Sequence, residues 1–267
     1  MENFLIEAEE LLKNYDPCKT LVIDARTKPE YEKSHLPGAV FLTTYGCFVP
    51  DTTDQGLAQF ASEVGQLYRA IGVDCDRPVV VYENETGMRA ARELWILKWL
   101  GHRNVRMLHG GIQAWKQASG EVVIDSVTPV PGNFVPQMHP EMVISAREIY
   151  ESLGTQKLKI VDVRDTYEYR GLDHTECCER RGHVPGAQWI EWTEFIEAGR
   201  YKSPEEIQKI LTAHGISIHD VIVPYCHRGA RSASAYFAFK LAGCDKVRNF
   251  IGSMHEWSAT KDLPIEV

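Results

Sequence analysis

The chain has 267 residues, of which 44% are hydrophobic and 25% charged, with a formal net charge of −8 and a pI near 5.7. That length suits one large or two ordinary domains with a sizeable core, and the acidic balance predicts no nucleic-acid partner. No window approaches the ~18 apolar residues of a membrane span, so no membrane partner is expected.

The first stretch, "MENFLIEAEELLKNY", carries four glutamates and one lysine. It lacks the basic start and apolar centre of a signal peptide, so a cytoplasmic location is the expectation. In chain order the apolar, Val- and Ile-rich runs "TLVIDAR", "RPVVVYE", "LKIVDVR" and "DVIVPYC" read as short buried parallel strands. Helical stretches separate them. Ser145 and Glu148 form a capping box at the start of one. Residues from Ala233 to Leu241 have helix-compatible apolar spacing. Strands alternating with helices predict an α/β fold with mostly parallel sheets flanked by helices.

The sequence repeats itself. Ala8 precedes Asp24 by sixteen positions, as Ala146 precedes Asp162, and Glu30 and Glu168 each follow six positions later. A His-x-Pro-Gly-Ala signature then appears in each half, at His35–Ala39 and His183–Ala187. Further on, Gly101 to Trp115 and Gly243 to Trp257 both span fourteen positions. Between the copies lies "SVTPVPGNFVPQMHP", with four prolines in fifteen residues, which reads as a linker. The expected division is 1–125 for the first domain, 126–142 for the linker and 143–267 for the second domain.

Seven cysteines are present, at Cys18, Cys47, Cys75, Cys177, Cys178, Cys226 and Cys244. An odd number without a secretory leader argues against a disulfide framework. "ECCERRGH" sets Cys177 and Cys178 near His174 and His183, but adjacent cysteines chelate poorly, and a surface loop with two thiols is the expectation, with no metal site.

"PYCHRGARSASAYFAFKLAG" poses a different question. Cys226 closes an apolar strand and is followed at once by His227, Arg228, Gly229, Ala230 and Arg231. A buried structural cysteine would not be followed by such residues. Backbone N–H groups of the turn, a tight curve at Gly229 and the positive end of a helix all favour a thiolate. Such surroundings lower a thiol from about 8.5 into the ~3.5–7.5 range. Arg228 and Arg231 would then attract an exogenous anion, so Cys226 reads as a nucleophile for an anionic substrate. The first copy has Glu83 where Cys226 stands, and predicts a scaffold without the chemistry. His35, His183, Asp24 and Asp162 occur in both copies, including the one without a nucleophile, which points to structural roles.

"DAR…EY…HLPGA", "DVR…EYRG…GHVPGA", the cysteine loop and "GSMHEW" together resemble the two-domain rhodanese family of thiosulfate and 3-mercaptopyruvate sulfurtransferases. The resemblance covers essentially the whole chain and implies tandem rhodanese-like domains, the second catalytic through Cys226. It implies sulfane-sulfur transfer from a small donor to a thiophilic acceptor through a cysteine persulfide, with no cofactor. Cyanide, a small thiol, thioredoxin or another thiol protein are the acceptors in view, and a monomer is the expectation. Mercaptopyruvate enzymes usually follow the cysteine with Gly and a small hydroxyl residue, whereas His227 and Arg228 follow here, which looks closer to the thiosulfate branch. Arg231 matches a loop arginine of bacterial thiosulfate enzymes. Where some members have a substrate-binding arginine this chain has Glu168, and Arg170 is a candidate substitute, the alternative being a structural pairing with an acid. The predicted donor-binding set is therefore Arg231, Arg228, His227, Gly229 and Arg170. The rivals are 3-mercaptopyruvate transfer, a non-catalytic persulfide carrier, and a cysteine phosphatase. The last would need one more residue between Cys226 and its arginine, and an acid within the loop.

Overall fold

The computed structural model describes residues 3–125, 127–173, 178 and 180–267. The chain forms two compact units, and neither is a single stretch of sequence. One comprises residues up to Cys47, Gln59–His139 and Ala198–Arg200; the other comprises Phe48–Ala58, Pro140–Glu197 and Tyr201–Val267.

The first half of the chain runs β1 (Leu5–Ile6), α1 (Ala8–Lys13), β2 (Leu21–Asp24), α2 (Lys28–Lys33), β3 (Val40–Phe41), α3 (Asp54–Ala70), β4 (Val79–Tyr82), α4 (Met88–Trp99), β5 (Val105–Leu108) and α5 (Gly111–Gln117). Its strands form one parallel sheet in the order β1-β5-β4-β2-β3. The central β2 and β4 are buried at every position, which is why they read as unbroken apolar runs. The proline-rich segment after residue 126 is not loose. Gly132, Phe134, Gln137 and His139 donate backbone N–H groups to Arg69, Val73, Leu100 and Trp99 of the same unit, and Phe134 is buried.

The second half runs α6 (Ala146–Ser152), β6 (Lys159–Asp162), α7 (Thr166–Tyr169), β7 (Gln188–Trp189), β8 (Ile196–Glu197), β9 (Arg200–Tyr201), α8 (Pro204–Ala213), β10 (Ile222–Tyr225), α9 (Ala230–Leu241) and α10 (Ser253–Ala259). Strands β10, β6 and β7 pair in parallel in that order. Single parallel bridges from Ile222 to Val247 and from Val143 to Asn249 extend the sheet where the first half has β5 and β1. Ser145 caps α6 with Glu148 reaching back, as the sequence predicts. Ile149, Ile160, Val223, Phe250 and Trp257 fill the core of this unit.

Both copies lock the carboxyl ends of their central strands in the same way. Arg164 donates from Nε and Nη2 to the buried Asp162, and Tyr225 donates its hydroxyl to the same carboxylate at 2.6 Å. Arg26, Asp24 and Tyr82 repeat that triad. Each tyrosine hydroxyl also receives a backbone N–H from the loop after the His-x-Pro-Gly-Ala histidine, Val184 at 3.1 Å and Leu36 at 3.2 Å. Losing one partner of such a buried pair leaves the other charge uncompensated, at a cost of about 3–5 kcal/mol. His183 and His35 each bond a tyrosine carbonyl through Nδ1 and stack on that tyrosine ring. Among the described residues no helix is long and apolar enough to cross a membrane.

Candidate active site

Strand β10 ends at Tyr225, and the next residue is Cys226. The chain turns over three residues and enters α9 at Gly229, whose φ of +85° places it in the left-handed region that favours glycine. The helix starts at Ala230, three residues earlier than the apolar spacing indicates. Its first turn therefore carries Arg231 and Ser232 into the cysteine loop.

Cys226 is only 1% exposed. Gly229 donates its backbone N–H to Sγ at 3.1 Å, and the Ser232 hydroxyl lies 3.7 Å away. From the first turn of α10, Met254 and His255 donate their N–H groups to the carbonyls of Cys226 and His227. Ser253 accepts the Cys226 N–H at 3.1 Å and donates to the Phe250 carbonyl at 2.8 Å. The loop is thus pinned on both sides, and little reorganisation is needed when charge develops on sulfur.

Burial alone would push the Cys226 thiol up. The Arg231 charge, with contacts from Ser232 and the Arg228 backbone, overcomes burial and holds the thiol below its ordinary value. The other described buried thiol with a resolved direction behaves oppositely: burial pushes Cys244 up to about 11.

The positive charge at this loop rests on Arg228 and Arg231. His227 is not a cation near neutrality, because burial and the neighbouring Arg228 and Arg231 push it down to about 4. Arg228 lies with its guanidinium 4.0 Å from the centre of the Phe48 ring, and His255 meets the edge of that ring. Arg231 is engaged by Glu168, with Nη1–Oε2 at 2.5 Å and Nη2–Oε1 at 3.2 Å, and Asp165 lies 3.7 Å from Nη1. Arg170, the candidate for a substrate arginine, is set apart from the loop residues. Its side chain is exposed at the end of α7, and among the described residues it makes no hydrogen bond or ion pair with 226–231. The α7 side chain that reaches the loop is Glu168.

Sequence reasoning assigned no role to Ser232, Ser253 or Phe48, and left Glu168 as a mere departure. Ser253 sits inside "GSMHEW", a motif visible in the sequence, but its contact with the Cys226 N–H depends on how the chain folds back. Phe48 lies in a segment of the first half that belongs to the second unit, and no sequence signal announces that exchange. His174 and Cys177, considered for metal, lie outside the described residues. Cys178 is buried in the apolar cluster of the second unit, not on a surface loop.

In the first copy Glu83 occupies the position of Cys226. Its carboxylate accepts the N–H groups of Arg89 and Ala90 at 2.7 and 2.9 Å, and burial pushes its pKa up to about 7. The scaffold there holds a carboxyl group and has no sulfur nucleophile.

The model of the rhodanese-like domain matches this chain twice, over residues 7–118 and 145–260. The chain belongs to the rhodanese family. It is similar at 27% identity to thiosulfate sulfurtransferase of Pseudomonas aeruginosa, over 98% of this chain and 97% of the relative. It is similar at 26% to 3-mercaptopyruvate sulfurtransferase of Escherichia coli, over 98% of each chain. The fold matches the crystal structure of the 3-mercaptopyruvate sulfotransferase SseA from Escherichia coli, with a TM-score of 0.81, 24% identity and coverage of 94% and 98%. Two rhodanese-like domains of α/β architecture thus place the chain in the sulfurtransferase family, in which relatives on both donor branches match it almost equally.

Proposed function

We propose that this rhodanese transfers sulfane sulfur from thiosulfate to a thiophilic acceptor through a persulfide on Cys226. The observation that carries the reading is the buried Cys226 sulfur, met by the Gly229 N–H at 3.1 Å and lowered in pKa by Arg231. In the first half-reaction the thiolate attacks the outer sulfur of thiosulfate. A new S–S bond forms to Cys226, the donor S–S bond breaks, and sulfite leaves with the electron pair. In the second, the acceptor attacks the outer sulfur of the persulfide. Cyanide departs as thiocyanate, or a thiolate departs as its persulfide, and Cys226 returns as thiolate. Both states of the enzyme are anionic at sulfur, so the same N–H groups and hydroxyls serve both.

Arg228, Arg231 and Gly229 are the proposed donor-binding residues. His227 contributes as a neutral polar wall, and Arg170 has no place in the proposal. Thiosulfate is favoured because the loop that holds Cys226 carries two arginines, Arg228 and Arg231, and no hydroxyl residue directly follows Cys226 to bind a keto acid. 3-Mercaptopyruvate is the second reading, supported by the near-equal similarity to a relative of that name. The proposal includes a cytoplasmic location and a thiol protein as acceptor. Cys226→Ser should abolish thiosulfate-to-cyanide transfer with the fold intact, since a hydroxyl cannot carry the sulfur. Turnover comparable to the wild type in that variant would reject the mechanism.

A further inference from the structure

The two copies place a glutamate at the same point of the same helix and use it differently. In the first copy Glu30 closes an ordinary capping box: it accepts the Thr27 N–H at 3.0 Å and the Asn84 side chain at 2.6 Å. In the second copy Asp165 caps the helix by itself, accepting the Tyr167 and Glu168 N–H groups at 3.0 Å. Glu168 is released from capping and turned onto Arg231, gripping both terminal nitrogens. It is only 8% exposed, and burial pushes its pKa up, against the pull of Arg231.

A guanidinium held end-on by a carboxylate has that face of its fork occupied and its charge largely answered, although three of its five N–H groups stay available to another oxyanion. Arg231 is also the cation that most favours the Cys226 thiolate, so it stands where a donor must bring its charge. We propose that Glu168 is a donor-selecting residue: its carboxylate acts as a resident anion on Arg231, which a doubly charged donor must displace or tolerate and a singly charged donor disturbs less. The pocket then discriminates among sulfane donors by charge, and Glu168 holds thiosulfate affinity below what Arg231 alone would give. The idea rests on the thiosulfate reading above and refines it.

A purely bracing role for Glu168 makes the opposite forecast. If the carboxylate only holds Arg231 in place, its removal loosens the arginine and thiosulfate binds less well. The direction of the KM change therefore separates the two.

The test compares thiosulfate with benzenethiosulfonate, a singly charged sulfane donor, in the full-length wild type and in Glu168→Gln. Cyanide is the acceptor in every assay. Glu168→Gln keeps size and polarity and removes the charge. Glu168→Asp, too short to reach both nitrogens, is the second variant should the first fold poorly. Glu168→Gln should lower the thiosulfate KM by about three- to tenfold, the scale of one partly exposed charged contact. The preference for thiosulfate over benzenethiosulfonate in kcat/KM should rise by a similar factor, and Glu168→Asp should shift it the same way by less. A thiosulfate KM that is unchanged or raised in both variants overturns the assignment. Intact mass of the wild type after thiosulfate keeps the failures apart. A persulfide that forms normally beside a raised variant KM overturns the role of Glu168 alone, whereas no persulfide on the wild type overturns the thiosulfate reading and this inference with it.

Discussion

Ser253 accepts the Cys226 N–H at 3.1 Å from a left-handed backbone conformation, φ +54°, which its counterpart in the first copy, Gly111, adopts at +57°. The ladders around the two residues correspond. Ile112 and Gln113 donate to the carbonyls of Glu83 and Asn84, as Met254 and His255 do to those of Cys226 and His227. At Gly111 a Cβ would lie 2.3 Å from the Glu83 carbonyl oxygen, so only glycine fits there. In the copy with the cysteine a serine stands in that strained place, and its hydroxyl bridges Cys226 and Phe250. Strain of this kind costs of order 1–3 kcal/mol and persists where the surroundings over-determine it.

A serine retained against backbone strain makes a two-variant forecast. Ser253→Ala keeps the strain and loses both hydrogen bonds, and should destabilise by about 1–3 kcal/mol. Ser253→Gly loses the same bonds but relaxes the backbone, and should be the more stable of the two by about 1 kcal/mol. Denaturant unfolding read by tryptophan fluorescence measures both. Equal stability of the two variants would remove the strain from the account.

Arg231→Ala should raise the thiosulfate KM by about tenfold to a hundredfold, from loss of a charged contact of roughly 1.5–3 kcal/mol. Discharge of the persulfide to cyanide should change less, because the acceptor brings one charge or none where the donor brings two. Steady-state kinetics with each substrate varied in turn would show it. A larger effect on the cyanide side would move Arg231 from donor binding to acceptor handling.

The thiols should separate by pH. Burial opposes the Cys226 thiolate, but Arg231 and the loop contacts lower its pKa, whereas burial pushes Cys244 to about 11 and raises Cys47 as well. Cys226 is buried, so the order of labelling also reflects access, and the pH midpoint of labelling is the sharper readout. With a small alkylating reagent and peptide mass analysis, the midpoint should be lowest at Cys226. A Cys226 midpoint equal to that of exposed Cys18 or Cys75 would contradict the thiolate assignment.

The strands, the duplication and the loss of the nucleophile from the first copy were legible in the sequence. Buried parallel strands such as Val79–Tyr82 must be apolar at every position, and a repeated motif keeps its spacing through folding. The position of Cys226 was legible for the same reason, since a strand end followed by a glycine turn and a helix is a local pattern. The partners of that loop were not. Glu168 and Arg231 are 63 residues apart, and Phe48 arrives from the opposite half of the chain. Arg170 was the attractive candidate because residue type is visible and direction is not. The turn of α7 that points Glu168 at the loop leaves Arg170 in solvent. The neutral state of His227 was not legible either, because it follows from burial and from the closeness of Arg228 and Arg231 in the folded loop.

A half-buried and a buried carboxyl, Glu83 and Glu256, give stability a pH dependence of definite sign. Burial raises Glu83 and Glu256 from 4.5 to about 7. Their folded forms bind protons more tightly than the unfolded chain, so stability is greatest below about pH 4.5 as far as these groups are concerned and declines as pH rises toward 7. Each contributes up to roughly 3–4 kcal/mol, at ~1.4 kcal/mol for each tenfold change in proton affinity. Glu83→Gln should flatten the decline between pH 5 and pH 7 in denaturant titrations. An unchanged slope would show that Glu83 ionises normally in its loop.

The most direct test is the mass of the Cys226 peptide after the protein meets thiosulfate and before any acceptor is added. The account predicts a gain of one sulfur atom on that peptide, removed by cyanide, with no gain on peptides containing Cys18, Cys47, Cys75 or Cys244. A sulfur carried by another cysteine, or an unmodified Cys226 in a folded protein exposed to excess thiosulfate, would contradict it.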